Sequence, residues 1–155
     1  AEIYKQYLEA KKDASANDYA GLATIYRNQA AETHQTQEQR DEAVKNADQA
    51  YADLAKKFPD AEDYAEFMRA RLSAALDPDS KKGLAKPHYE RLAQIIEAHI
   101  DSLTSVDKAR ILEAYHYMAY YYYSHDNVAT AKSVAEKILK VDAEDSVAKQ
   151  ILGAK

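Results

Sequence analysis

Histidines and carboxylates are the side chains of this sequence with the most direct chemistry, because they bind metal ions and transfer protons. The chain has no cysteine, which excludes a Cys-based zinc site and a disulfide framework. His116, His125 and Asp126 form one possible ligand set, and His88 and His99 form another on one predicted helix face. Neither set has the closely spaced ligand pair and motif-placed third ligand that mark a zinc site. We therefore predict no metal and no cofactor, and interpret His125 as part of a turn and His99 as a boundary residue.

Acidic side chains offer a second kind of chemistry, since a pair of carboxylates can act as general acid and base. The candidates are Glu62, Asp63, Glu66, Asp77 and Asp79. We interpret all of them as residues of solvated helix faces and helix caps. The sequence contains no nucleophile elbow, no glycine-rich phosphate loop and no zincin motif. It therefore predicts a protein that is not an enzyme.

Composition indicates the elements that hold these side chains. The chain has 155 residues, of which 46% are hydrophobic and 30% charged, so it is long enough to bury a sizeable core. Only three glycines and three prolines are present, too few for the many turns of an all-β fold. An all-α fold is the prediction.

Net charge and hydropathy limit the classes of partner that the chain can bind. The formal net charge is −5 and the pI is near 5.5, which argues against nucleic-acid binding because that requires a basic face. No apolar run approaches the roughly 20 residues of a membrane span, so we predict no membrane insertion. No signal peptide is visible, and the chain opens in a helical pattern without an initiator Met. We expect a mature product or an excised segment.

Hydrophobic periodicity predicts a series of helices separated by polar turns. Thr36 begins a capping box, and Ser105 or Asp107 is expected to cap the tyrosine-rich helix. Gly21 lies inside a helical pattern, which we attribute to close helix packing. The predicted helices cover about 1–12, 18–32, 36–58, 62–76, 84–100, 105–124, 127–141 and 146–152, with Pro87 as the alternative start of the fifth.

Two helix pairs repeat one arrangement of large and small residues. Residues 112–145 carry Tyr115, Met118, Ala119 and Tyr122 on the first helix and Ala131, Ala135 and Ile138 on the second. The first pair carries Tyr19, Leu22, Ala23 and Tyr26, then Ala47, Tyr51, Leu54 and Pro59. This arrangement resembles the tetratricopeptide repeat. The middle pair departs from it, because Arg69 stands where a small residue is usual.

The resemblance implies a right-handed superhelix of stacked antiparallel helix hairpins, an α-α solenoid within one tetratricopeptide-like domain. Residues 76–90 are similar to a stretch found in bacterial tetratricopeptide proteins, often exported to the envelope, which implies a periplasmic or cell-envelope location. The implied segments are a partial repeat at 1–14, a repeat with long helices at 16–61, a degenerate repeat at 62–111, a regular repeat at 112–145 and the start of another at 146–155.

Members of this family bind peptides or proteins in a concave groove lined by first-helix residues just beyond the core stripe. On the tyrosine-rich helix this places His116, Tyr120 and Tyr123 on a different stripe from Tyr115 and Tyr122. The alternative is that Tyr120 and Tyr123 pack against neighbouring helices. Tyr117 and Tyr121 point farther from the core, where we expect a capping helix or second subunit to cover them. The resemblance thus implies partner-binding residues at His116, Tyr117, Tyr120, Tyr123, Thr24, Arg27 and Asn28.

We predict a protein-interaction module with an unidentified protein or peptide partner. One alternative is a structural segment of a longer solenoid, which self-associates as a homo-oligomer through exposed end helices. A small-molecule or metal-binding domain is a third alternative, but it would need a polar pocket that the sequence does not display.

Overall fold

Helices account for all the regular secondary structure of residues 1–153, the part of the chain that this computed structural model describes. Short 3-10 turns lie at Pro59–Ala61 and Ile100–Ser102. The helix-only prediction is confirmed. The helices are Glu2–Ala10 (α1), Ala16–Ala31 (α2), Gln37–Lys57 (α3), Glu62–Leu76 (α4), Lys86–Glu97 (α5), Ser105–Ser124 (α6), Val128–Val141 (α7) and Ser146–Gly153 (α8).

Three helices begin with a capping box, in which the cap side chain and the third helical residue bond each other's backbone N–H. Thr36 and Gln39 form this pair at α3, as predicted. At α6 the cap is Thr104, whose hydroxyl accepts from the Asp107 N–H. The prediction that Ser105 or Asp107 caps α6 is therefore wrong, although Asp107 completes the box. Ser15 and Asp18 form the third box at α2.

The end of α5 also differs from its prediction. The helix stops at Glu97 and not at residue 100. The apolar pattern continues to Ile100, but the chain enters a 3-10 turn there and Ile100 is exposed. His99 consequently lies beyond the helix and does not share a helix face with His88. Its Nε2 lies 3.6 Å from an Asp107 oxygen.

Residues 1–72 form one compact unit, centred on the α2–α3 hairpin. The small residues Ala23 and Ala47 are fully buried and let the two helices approach closely. Gly21 serves the same purpose against α1, because a Cβ there would lie 2.9 Å from the Tyr4 hydroxyl. Three large side chains of the core stand at predicted repeat positions, Leu22, Tyr51 and Leu54, and α4 adds Met68 and Leu72.

Residues 73–153 form a second compact unit in which α6 packs against both α5 and α7, and α7 packs against α8. Fully buried alanines again stand where helices meet, at Ala119, Ala131 and Ala135. The apolar core between them comes from α5, α6 and α7 and comprises Leu92, Ile96, Ile111, Tyr115, Met118 and Ile138.

Two of the acidic residues expected on solvated surfaces are buried instead. Glu66 bonds Arg69 at 3.0 Å, and Arg69 also bonds both oxygens of Asp48 at 2.8 and 3.2 Å. Arg69, the residue that departs from the repeat pattern, therefore links α4 to α3 through two charge-assisted hydrogen bonds to Asp48. Asp77 is the second buried carboxylate, and it organises a loop of the second unit. No helix of the described residues is long and apolar enough to cross a membrane.

Candidate functional site

The tyrosines of α6 have separate roles, depending on the direction in which each side chain points. Tyr115 is buried and donates its hydroxyl to Glu97 at 2.7 Å, and Tyr122 donates to Glu90 at 3.0 Å. Both acceptors lie on α5. Burial raises the pKa of Tyr115, and the bond to Glu97 raises it further. These two residues hold α6 against α5, which agrees with their assignment to the core stripe.

Tyr117 and Tyr121 are covered by residues of the same unit. The Tyr117 ring lies 4.8 Å from that of Tyr89, and burial raises the pKa of the Tyr117 hydroxyl. The Tyr121 ring stacks on His125 at 4.1 Å and touches Gly83, where a Cβ would lie 2.6 Å from a ring carbon. The expectation that Tyr121 awaits a capping helix or second subunit is therefore wrong, because the loop between α4 and α5 already covers it.

That loop is held in shape by Asp77. Its carboxylate accepts from the backbone N–H groups of Lys82 at 3.0 Å and Leu84 at 3.3 Å. Burial acts to raise the pKa of Asp77, but these backbone bonds outweigh it and the pKa is lowered. Gly83 has a φ of +66°, a conformation that glycine adopts without strain. The loop thus has a defined shape against the aromatic side of α6.

Tyr120 and Tyr123 differ from the packed tyrosines of α6, because 54% of Tyr120 and 46% of Tyr123 is exposed. They share a helix face with His116 because the three residues are spaced by four and three positions. We call His116, Tyr120 and Tyr123 the tyrosine face. Exposed tyrosines on one face give a rigid aromatic surface with hydroxyls for hydrogen bonding.

His116 is fixed at one end of the tyrosine face by α8. Its Nε2 lies 2.8 Å from an oxygen of Asp145, whose other oxygen accepts from the Ala148 N–H at 2.8 Å. Burial acts to raise the pKa of Asp145, but the bonds from Ala148 and His116 outweigh it and the pKa is lowered. Asp145 therefore joins the start of α8 to α6. Val147, two residues later, is also exposed.

The other predicted contact residues lie on α2 in the first unit. Thr24 and Arg27 are half-buried, and Asn28 is exposed. Thr24 and Arg27 lie beside the buried Tyr51, where burial raises the tyrosine pKa and these two residues partly offset that rise. Polar groups at the surface end of α2 can thus donate hydrogen bonds to a ligand.

Clefts are present in both units. A cleft of about 260 Å³ in the first unit lies over α2, with lining residues that include Leu22, Tyr26 and Asp53. In the second unit a cleft of about 530 Å³ lies where α5 and α7 end, and its lining includes Tyr115 and three lysines. Among residues 1–153, no group of three or more histidine, aspartate or glutamate side chains is placed to hold a metal ion.

Two features of the second unit were not predicted from the sequence: the His116–Asp145 bond and the lysine-lined cleft. The His116–Asp145 bond joins residues far apart in the sequence, and the only local signal for it is an aspartate placed before Ser146 as a helix cap. The lysine-lined cleft joins residues from α5, α6, α7 and the 3-10 turn at Ile100–Ser102, and no single helical stripe contains them.

Comparisons with known proteins agree with the fold. No family model matches the chain, and no curated protein matches it. A solved structure that matches is the C-terminal part of a TPR repeat-containing protein from Cytophaga hutchinsonii, with a TM-score of 0.73 and 24% sequence identity. The match covers 99% of this chain, which spans 57% of the length of that one.

The fold class is therefore an all-α helical repeat of the tetratricopeptide type. The burial of the repeat positions in both units leads to the same class, since Ala23, Ala47, Ala119 and Ala131 are all fully buried. A likeness at this identity concerns the fold and leaves function to the residues themselves.

Proposed function

We propose that the chain is a non-enzymatic protein-interaction module that binds a peptide or protein segment, with the tyrosine face as its principal contact. The observation that carries this proposal is the exposure of Tyr120 and Tyr123 in a helix whose other tyrosines are used in packing. Tyrosine is enriched at binding hot spots because it offers a large contact area with few rotors to immobilise.

Rigid support around these rings favours binding further. Tyr120 and Tyr123 extend from a helix that contacts α5 and α7 through its other faces, so the aromatic rings are presented by a fixed backbone. His116 is held by Asp145 at 2.8 Å, which leaves its ring edge in a defined position. A preorganised surface loses less entropy when a partner binds.

Thr24, Arg27 and Asn28 are proposed as polar contacts on the first unit. Tyr117 is proposed as a further partner contact on α6, next to its packing partner Tyr89. An arginine with a planar fork of donors suits backbone carbonyls and carboxylates of a bound peptide. We expect Arg27→Ala together with Asn28→Ala to weaken binding less than loss of the two tyrosines, because partly exposed polar contacts contribute less than buried aromatic ones.

The test begins with selection of a peptide from a displayed random library on the immobilised protein. The affinity of the selected peptide is then measured for the wild type and for Tyr120→Ala/Tyr123→Ala. We expect the dissociation constant to rise by at least about tenfold, as for loss of a hot-spot pair. Tyr7→Ala is the matched control, because Tyr7 is 49% exposed on α1, and its affinity should stay within about twofold.

Self-association through the end helices is a second proposed function, favoured by exposed apolar side chains at both ends. Ile3 is 85% and Tyr7 49% exposed on α1, and Val147 is 46% exposed on α8. Ile151 and Leu152 of α8 are half-buried.

Light scattering across a concentration series tests this alternative. Self-association predicts a molar mass that rises with concentration and a rise that Ile3→Ser/Tyr7→Ser removes. A constant mass of about one chain, or an unchanged rise in the variant, would contradict it.

A further inference from the structure

The 530 Å³ cleft of the second unit lies away from the tyrosine face and combines an apolar floor with a basic rim. Tyr115 is buried at its base, while Leu103 and Val141 are half-buried along its sides. Ile100 lies in the 3-10 turn between α5 and α6 and keeps 42% of its surface exposed. A cleft of this volume is in the range that holds one or two side chains of a ligand.

The lining of this cleft has one more lysine than carboxylates, although the whole chain carries −5. Lys108, Lys137 and Lys140 line the cleft together with the carboxylates Glu97 and Asp101. Glu97 already accepts from Lys137 at 2.8 Å and from the Tyr115 hydroxyl at 2.7 Å. These bonds outweigh the effect of burial and lower the pKa of Glu97. Its negative charge is thus compensated within the protein.

Lys108 and Lys140 have no ion-pair partner among residues 1–153. Lys140 lies in the last turn of α7, where a cation interacts favourably with the helix end. Lys108 lies near the start of α6, where the helix dipole favours the opposite charge. A ligand carboxylate would therefore have both ammonium groups as partners, in a position away from Asp101, the second carboxylate of the lining.

We propose that this cleft binds an acidic peptide segment in which an apolar side chain neighbours one or more carboxylates. The apolar side chain packs against Ile100, Leu103 and the base of the cleft, and the carboxylates pair with Lys108 and Lys140. Charge complementarity at the rim selects acidic segments, since the partly exposed ammonium groups attract them and repel basic ones. None of the tyrosine-face residues lines this cleft, so the two surfaces bind independently.

The experiment uses three short fluorescein-labelled probe peptides with blocked ends. One alternates leucine with glutamate, the second alternates leucine with glutamine and the third alternates serine with glutamate. Fluorescence anisotropy with the full chain should show the leucine–glutamate probe binding at least about tenfold more tightly than either other probe, because only it matches both the floor and the rim. Higher salt should weaken its binding, since screening reduces the attraction of exposed charges.

Lysine variants test whether the leucine–glutamate probe binds in this cleft. Lys108→Gln/Lys140→Gln should weaken the leucine–glutamate probe by about tenfold, whereas Lys12→Gln/Lys45→Gln makes the same change in net charge at exposed lysines of the first unit and should have little effect. Tyr120→Ala/Tyr123→Ala should also leave this probe bound. The proposal is overturned if no probe binds, if the glutamine probe binds as tightly, or if both lysine pairs weaken binding equally.

Discussion

One residue type has three roles along α6, and position within the helix decides which. Tyr115 and Tyr122 reach α5 carboxylates, Tyr121 covers the glycine of a loop, and Tyr120 and Tyr123 face solvent. Helical spacing alone predicts the first and last groups, because residues about 100° apart per position sort into stripes. It does not predict the cover over Tyr121, since the loop that supplies it takes its shape from a buried aspartate and a positive φ.

Asp18 gives a pH-dependent prediction at the residue scale. Its bond from Lys11 at 2.8 Å, followed by bonds from the Ser15 backbone and hydroxyl, lowers the Asp18 pKa from its usual 3.8 to about 2. A lowered pKa in the folded state stabilises the protein above the unfolded value, and this stabilisation is lost as pH falls through the folded value. The ionised Asp18 therefore stabilises the α1–α2 junction at pH values above 3.8.

Asp18→Asn should unfold at a lower temperature than the wild type at neutral pH. The difference should shrink between pH 3.8 and about 2, where the wild-type carboxylate takes up its proton. Circular dichroism melts across this range measure the difference, with Asp13→Asn in the turn before α2 as the control. A difference independent of pH would show that the charge of Asp18 does not stabilise the fold.

Capping chemistry decides how well each element can be predicted. The α3 start was predictable because Thr36 and Gln39 form a capping box, and the bounds of α4 were predicted at Glu62 and Leu76. The end of α5 was not, because the apolar pattern runs on to Ile100 without a glycine to stop it. A 3-10 turn at Ile100–Ser102 follows the helix, and Ile100 stays exposed, so its apolar side chain does not mark a buried helix position.

Gly83→Ala should destabilise the loop between α4 and α5 and disturb the packing of the Tyr121 ring against it. The residue has a φ of +66°, and an added Cβ would lie 2.6 Å from the Tyr121 ring. We expect a loss of about 1–3 kcal/mol in unfolding free energy. Gly153→Ala is the control, since nothing lies within 4 Å of its Cβ position. Equal denaturation midpoints for the two variants would refute the strain at Gly83.

Asp145→Ala should destabilise the first turn of α8 and its link to α6. The change removes both the cap on the Ala148 N–H and the partner of His116, and loss of a helix cap costs about 1 kcal/mol. Native-state hydrogen exchange should show faster exchange of α8 amides with little change in α5. Glu136→Ala on α7 is the control, because Glu136 is exposed. Unchanged α8 exchange in Asp145→Ala would contradict its role as the junction.

At the scale of the whole molecule, the fold class followed from repeated size patterns and the surface chemistry did not. Buried alanines at Ala23, Ala47, Ala119 and Ala131 satisfy the repeat in both units, so two independent matches sufficed to predict stacked hairpins. The basic cleft joins Lys108 with Lys137 and Lys140 from another helix. These lysines are far apart in the sequence and follow no helical spacing, so only the tertiary structure brings them together.

The central claim is that the tyrosine face binds a partner through its aromatic rings. The most direct test is calorimetric titration of a selected peptide into the wild type, Tyr120→Phe/Tyr123→Phe and Tyr120→Ala/Tyr123→Ala. The phenylalanine variant keeps the rings and should bind within a few-fold of the wild type. The alanine variant should bind at least about tenfold more weakly while keeping its helical circular dichroism. Wild-type affinity in a folded alanine variant would contradict the claim.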